Sequence, residues 1–246
     1  MSTPAATPAA PFPALPVCGV AIPATGLITA AVAYARAHTS PSTVNHCLRS
    51  AAFALVFARK LPPYAGADAE AVVLACLLHD LGWAVGESRA LLSADKRFEV
   101  DGANLARAFA REHSEYSEAQ LQEVWDAIAL HTTPSIALHK QPVVALTALG
   151  ILADFTGPYH PAGAISVAEF QEVVGAFPRL AFRDELPRTL CGLCRDKPGT
   201  TFDNFVGEFG AALLEGEEGD AYREQREKNS ARNLLLGGLD AVKQYE

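Results

Sequence analysis

The sequence predicts an all-α protein that folds as a single-domain helical bundle. Apolar residues recur at helical spacing in almost every segment. The clearest case comprises Val44, Leu48, Ala51 and Leu55. No segment shows the strict alternation of a half-buried strand, and none repeats at a fixed period. The chain has 246 residues, half of them apolar, which favours one large core over two substantial domains.

Start and stop signals place the helices along the chain. Ser40 and Pro41 begin the first predicted helix, which ends before Pro62. Two capping boxes, Ser117-x-x-Gln120 and Ser166-x-x-Glu169, begin two others. The other predicted helices cover residues 67–81, 101–113, 143–155, 202–209 and 234–242.

Composition indicates the organisation of the chain and the partners it excludes. Residues 1–26 read as a flexible Ala/Pro-rich arm, 27–214 as the helical domain, and 215–246 as a charged segment with a C-terminal helix. The arm lacks the basic start of a secretory signal, and apolar runs such as 69–78 fall short of the about 18 residues that span a bilayer. The net charge of −8, without a basic stripe, disfavours nucleic acid. We expect a cytoplasmic protein with no membrane or nucleic-acid partner, whose arm and last helix could form a homo-oligomer.

Four polar residues lie within or at the ends of apolar helices. His79 and Asp80 follow the apolar run 71–78, Asp154 follows the run 143–153, and His46 lies near the start of the first helix. A carboxylate in an apolar interior needs a proton or a partner, and one metal ion can neutralise two of them. Two imidazoles with two carboxylates suit zinc, iron or manganese. For any one residue alone, an ordinary buried polar side chain is the favoured alternative; the four together favour a metal site.

Four segments around these residues carry a family resemblance. They are Val44-Asn-His-Cys-Leu-Arg49, Ala75-Cys-Leu-Leu-His-Asp-Leu-Gly82, Phe98-Glu-Val-Asp-Gly102 and Ala153-Asp-Phe-Thr-Gly157. In this order they resemble the motifs of the HD-domain superfamily of metal-dependent hydrolases and, within it, of the cyanamide hydratase family. The resemblance covers roughly residues 40–210 and implies an HD-type bundle.

The resemblance also implies a metal site and an activity. His46, His79, Asp80 and Asp154 would bind one divalent ion, with zinc favoured over iron or manganese. The protein would be a hydro-lyase that hydrates a small nitrile-type substrate, with cyanamide giving urea. The metal would lower the pKa of a bound water from 15.7 toward about 7, which makes hydroxide available at neutral pH.

Other residues receive supporting roles, each with an alternative. Asp80 would take the proton of the attacking water, and Glu99 or His131 would assist as catalytic residues. Asn45 and Glu99 would bind the substrate. Equally, His131 could be a core histidine or the ligand of a second metal, Glu99 a surface-loop carboxylate, and Asn45 part of the first helical turn.

Two other functions remain open from the sequence. An HD-type phosphohydrolase would act on a nucleotide or a small phosphate ester and would need a basic pocket. A metal-containing helical protein could instead bind a ligand without turnover. Many HD phosphohydrolases resemble the pattern HDxGK, but this chain has Trp83 at the place of the lysine. Few basic residues lie near the motifs (Arg49, Lys96 and Arg97), which favours a small neutral substrate.

Overall fold

The structure is a computed structural model that describes residues 11–159 and 163–245. Over these residues the protein forms twelve α-helices and no β-strand, which confirms the all-α prediction. The helices are α1 Gly26–His38, α2 Pro41–Lys60, α3 Ala69–Leu78, α4 Phe98–His113, α5 Glu118–Ala129, α6 Pro134–Ala137, α7 Pro142–Thr156, α8 Val167–Ala176, α9 Phe182–Asp196, α10 Val206–Leu213, α11 Gly216–Lys228 and α12 Ala231–Val242.

Helices α2 and α7 form the centre of the larger core. They approach closely because α7 has a glycine where they cross: a Cβ at Gly150 would lie 2.3 Å from the carbonyl oxygen of Ser50. His46 lies one turn before Ser50, and Asp154 one turn after Gly150. The crossing therefore brings these two polar residues together.

A second close approach positions the segment that follows α3. A Cβ at Gly82 would lie 2.1 Å from the carbonyl oxygen of Phe98, and one at Gly102 would lie 2.8 Å from that of His79. Side chains at either glycine would push α4 away from the turn that carries His79 and Asp80. The two glycines thus hold the start of α4 against this turn.

By length and composition alone, one stretch, Pro142–Tyr159, could cross a membrane. It consists of α7 and the turn that follows, and Asp154 interrupts its apolar run after residue 153. However, 61% of the stretch is buried inside the protein, where α7 packs against α2, α3 and α5. This burial is typical of a core helix.

A smaller hydrophobic cluster joins α9, α10 and α11 to Trp83 and Phe98. The sequence did not predict α9, which starts without a side-chain cap and contains Pro187. Residues 215–232 were expected to be a solvated linker or helix, and most of them form α11. Tyr222 of α11 is buried, with its hydroxyl 2.6 Å from the Thr201 hydroxyl. The predicted boundary at residue 214 therefore separates two helices that pack together.

The described part of the N-terminal segment is not a loose arm. Leu15, Cys18 and Ile22 are buried in the larger core. The carboxylate of Glu172 accepts hydrogen bonds from the backbone amides of Val17 and Cys18, at 2.9 and 2.7 Å. The arm prediction is wrong for this stretch, and residues 1–10 lie outside the described residues.

Candidate metal centre

Three of the four predicted metal-binding residues meet in the interior. His46 comes from α2, while His79 and Asp80 follow α3 directly, and all three are buried. The two Nε2 atoms lie 3.2 Å apart, and His79 Nε2 lies 3.1 Å from Asp80 Oδ2. One ligand atom from each residue lies within 4.8 Å of the other two. At this spacing, the three atoms can bind one metal ion together.

The outer nitrogens of the two histidines fix which ring atoms face inward as acceptors. His79 Nδ1 donates to the carbonyl oxygen of Cys76 at 2.8 Å, and His46 Nδ1 donates to Asp154 Oδ2 at 2.7 Å. Because carbonyl and carboxylate oxygens only accept, the Nδ1 atoms carry the hydrogens. When both rings are neutral, the Nε2 lone pairs face the Asp80 carboxylate, and these three acceptors suit a cation between them.

Asp80 gives the strongest evidence for a bound cation. Both of its carboxylate oxygens are buried and have no hydrogen-bond partner, which is costly for a charged group. Burial alone would raise the pKa of Asp80, but the positive charge of His79 beside it lowers that pKa. Conversely, burial opposes the charged form of His79, while Asp80 raises its pKa well above the usual range. The site favours positive charge, and two imidazoles with a carboxylate fit a divalent metal such as zinc.

Asp154 lies outside this group of three. Its carboxylate is on the Nδ1 side of His46, away from the Nε2 atoms, and it also binds Arg49 through two hydrogen bonds of 2.8 Å. Arg179 lies 2.9 Å from Asp154 Oδ1. The structure therefore places Asp154 as the hydrogen-bond partner of His46, on the far side of that ring from the candidate metal site.

Arg49 is the residue whose role the sequence did not reveal. It was counted as a basic residue near the site, but its guanidinium is fully buried and also donates to the carbonyl oxygens of Phe177 and Pro178. Its spacing of three residues from His46 puts both side chains on one face of α2, a signal that could have paired it with the site. Arg49 offsets the charge of Asp154 and is unavailable to a substrate.

The three residues lie in the wall of a cavity of about 330 Å³. The remaining polar lining residues are His131 and Thr132. The apolar lining residues are Trp83, Phe98, Pro134, Ile151, Leu152, Phe155, Leu186, Phe205 and Phe209. No lysine or arginine of the described chain lines this cavity, so it is an apolar pocket with the candidate metal site in its wall.

The family model for the HD domain matches residues 43–156. This segment is similar to the HD domain. The match spans all four predicted metal-binding residues and supports the HD-domain superfamily, which implies a metal-dependent hydrolase. No curated protein matches the chain. The HD match does not extend to the cyanamide hydratase family, which stays a prediction.

His131 lies within the matched segment and beside the three residues. Its Nδ1 donates to the carbonyl oxygen of Ile128 at 2.6 Å, and its Nε2 lies 3.9 Å from Asp80 Oδ1. Burial, together with the charge on His79, lowers the pKa of His131 to about 4. A neutral His131 therefore presents an Nε2 lone pair toward Asp80, in the cavity wall.

The structure gives Glu99 and Asn45 other contacts than those expected. Glu99 is a buried residue of α4, so the surface-loop alternative is wrong; its carboxylate binds Arg97 at 2.5 Å and the Thr132 hydroxyl at 2.6 Å. The side-chain amide of Asn45 donates to the carbonyl oxygen of Pro178 at 2.8 Å. This distant contact differs from the alternative expected for Asn45, which was a role in the first helical turn. Neither residue lines this cavity, and a direct substrate contact stays a prediction for both.

Proposed function

We propose that the protein is a metal-dependent hydro-lyase that adds water to the carbon of a small, uncharged nitrile-type group, with cyanamide giving urea as the reference reaction. One observation carries this proposal. The acceptor atoms of His46, His79 and Asp80 converge in the wall of a cavity whose other lining is almost entirely apolar. A neutral substrate can enter such a cavity without losing strong hydration.

The surroundings disfavour the alternative of a phosphohydrolase. A phosphate ester brings charge that usually meets arginine, lysine or a helix N-terminus. Here the buried cations near the site already have partners: Arg49 binds Asp154, and Lys197 Nζ lies 2.6 Å from Asp101. Arg97, half-buried, binds Glu99. A phosphate in the cavity would therefore meet no free cationic side chain among the lining residues that the structure describes.

His46, His79 and Asp80 would hold the metal, and zinc fits this set of ligands best. Bound there, the metal would supply a water molecule of lowered pKa at neutral pH. Asp154 would hold the His46 ring in its binding orientation. A direct bond from Asp154 to the metal stays a prediction. The contacts of its oxygens with His46, Arg49 and Arg179 favour the role of holding the His46 ring.

Asp80 and His131 are the groups placed to handle protons. Hydration forms a carbon–oxygen bond, breaks one carbon–nitrogen π bond and moves a proton from water to nitrogen, which gives isourea. A second proton shift, from that oxygen to the imino nitrogen, replaces the C=N bond with C=O and gives urea. Asp80 would accept the first proton on Oδ1 and return it to the substrate nitrogen. The neutral His131 would accept a hydrogen bond from the water at Nε2, which orients an oxygen lone pair toward the carbon. Glu99 would act only by holding Thr132 beside this position.

The test measures metal content and two activities on one preparation. Zinc-loaded protein should produce urea from cyanamide and release no phosphate from p-nitrophenyl phosphate. His79→Ala should lose both metal and urea formation, whereas His139→Ala, at an exposed position, should keep both. Phosphate release without urea formation would instead identify the phosphohydrolase, and a metal-loaded protein with neither activity would favour the binding protein.

The setting of this activity is also proposed. Three predictions about this setting stay predictions. They are a cytoplasmic location, the lack of a nucleic-acid or membrane partner, and the formation of a homo-oligomer. The exposed leucines of α12, among them Leu235 and Leu239, are compatible with an oligomer.

A further inference from the structure

We infer that the cavity selects substrates with an aryl or branched-alkyl body attached to the reacting group, so that a hydrophobic nitrile is preferred over cyanamide itself. The identity of the reacting group rests on the proposed function. The preference for an apolar body rests on the size, lining and exposure of the cavity alone.

The cavity is much larger than the smallest substrate needs. Its volume is about 330 Å³, whereas a water molecule occupies roughly 30 Å³ in the liquid and benzene fits a cavity of about 150 Å³. Cyanamide has only three heavy atoms and would leave most of this space to water. A substrate with a ring or a branched chain would fill it.

The lining divides into a polar group and an apolar remainder. The polar residues are clustered, because Asp80 oxygens lie within 4 Å of the Nε2 atoms of His46, His79 and His131. The apolar remainder comes from separate elements: Ile151 and Leu152 from α7, and Leu186 from α9. A reacting group at the polar cluster therefore leaves the rest of its molecule against hydrocarbon.

Two large aromatic side chains remain partly exposed at this cavity. Phe155 is 49% exposed and Phe205 is 38% exposed, although both line the cavity. Phe205 also packs edge to face on Phe98, with ring centroids 6.3 Å apart. A bound apolar group that covers these rings removes hydrocarbon from water, which favours binding.

Binding can be measured without turnover, by the fluorescence of Trp83. The protein has two tryptophans, so Trp125→Phe leaves Trp83, which lines the cavity, as the only reporter. The zinc-loaded variant is titrated with phenylurea, urea and phenyl phosphate. Burial of a phenyl ring should make phenylurea bind about 10- to 100-fold more tightly than urea. Equal affinities for phenylurea and urea would overturn the inference. Tighter binding of phenyl phosphate than of phenylurea would contradict the uncharged reacting group of the proposed function and leave the preference for a ring intact.

Variants test whether binding occurs in this cavity. Phe205→Ala should weaken phenylurea binding by about 10-fold and leave zinc content unchanged. Leu213→Ala is the matched control, since Leu213 is 49% exposed in α10 and does not line the cavity. An unchanged affinity in Phe205→Ala would contradict the inference, as would an equal loss in both variants.

Turnover separates this inference from the proposed function. We expect a kcat/KM for phenylcyanamide at least about 10-fold above that for cyanamide, because the ring contributes binding energy in the transition state. Hydration of cyanamide with the higher kcat/KM would refute the preference and retain the reaction. If neither compound is hydrated while phenylurea still binds more tightly than urea, the reaction is refuted and the apolar selectivity stands.

Discussion

The Nδ1 atom of His46 lies 2.7 Å from Oδ2 of Asp154, and both side chains are buried where α2 crosses α7. Arg49 and Arg179 offset the charge of the Asp154 carboxylate. A carboxylate behind a metal-binding histidine fixes the tautomer and the orientation of the ring and increases its basicity. Asp154 can therefore support metal binding without being a ligand, because it orients the His46 ring.

Asp154→Asn tests this relationship. The amide keeps the size of the side chain but removes the negative charge, so zinc affinity should fall by about 10- to 100-fold. Competition with a chelator measures this change, and Asp240→Asn, at an exposed position, should have no effect. A far larger loss, with an Asp154 oxygen about 2.0–2.2 Å from zinc in a crystal structure, would instead make Asp154 a ligand.

Arg49→Met should destabilise the fold strongly. The substitution keeps an apolar stem but leaves Asp154 buried with less compensation, which typically costs about 3–5 kcal/mol. The control is Arg111→Met: Arg111 and Glu118 form an exposed ion pair, whose loss should cost below about 1 kcal/mol. Urea denaturation of both metal-free variants gives the two values. Similar values would show that Arg49 contributes little to the core.

Local signals made several of the helix starts predictable. Ser40, Ser117 and Ser166 each accept a hydrogen bond from a backbone amide three residues later, and such a cap needs no distant partner. Helix α9 lacks this signal. Its first flanking residue, Ala181, makes no side-chain cap, and its buried side chains belong to the cluster with α10 and α11. Because its packing is tertiary, the sequence pattern alone did not reveal it.

The candidate metal site was likewise predictable from the sequence only in part. His79 and Asp80 are adjacent at the end of an apolar helix, so their placement was visible in the sequence. The partnership of Asp154 with Arg49 joins residues 105 positions apart, and no local pattern encodes it. The role of Glu99 was predicted from its motif alone and stays a prediction; its carboxylate binds Thr132, 33 positions away, and Arg97.

The buried carboxylate of Glu169 should make stability depend on pH. Burial would raise its pKa, but hydrogen bonds from Lys60 and Ser166 lower it below the usual value. A depressed folded-state pKa stabilises the protein above the unfolded-state pKa of about 4.3, and this stabilisation is lost as pH falls through the folded-state value. Glu169→Gln should therefore cost roughly 1–2 kcal/mol at pH 7.

The difference between wild type and Glu169→Gln should shrink steadily below pH 4. Urea denaturation between pH 3 and pH 7 measures it. Glu224→Gln, at an exposed position on α11, should follow the wild type throughout. A Glu169→Gln deficit that stays constant over this range would show that hydrogen-bond geometry, and not the charge, is what stabilises the start of α8.

Gly150→Ala should weaken both the fold and the metal site. Its Cβ would lie 2.3 Å from the Ser50 carbonyl oxygen and 2.7 Å from Ala54 Cβ, so α2 and α7 must separate at a cost of about 1–3 kcal/mol. Separation would also lengthen the contact between His46 and Asp154, so zinc affinity should fall together with the free energy of unfolding.

The matched control is Gly192→Ala, in the interior of α9, where an added Cβ meets no atom within 4 Å. Alanine there should stabilise the protein by about 0.5–1 kcal/mol, because glycine loses more backbone freedom on folding. Zinc affinity should not change. A loss of stability in Gly150→Ala with undiminished zinc affinity would mean that the metal site tolerates movement of α7, and the orientation of His46 would then not depend on the distance between the two helices.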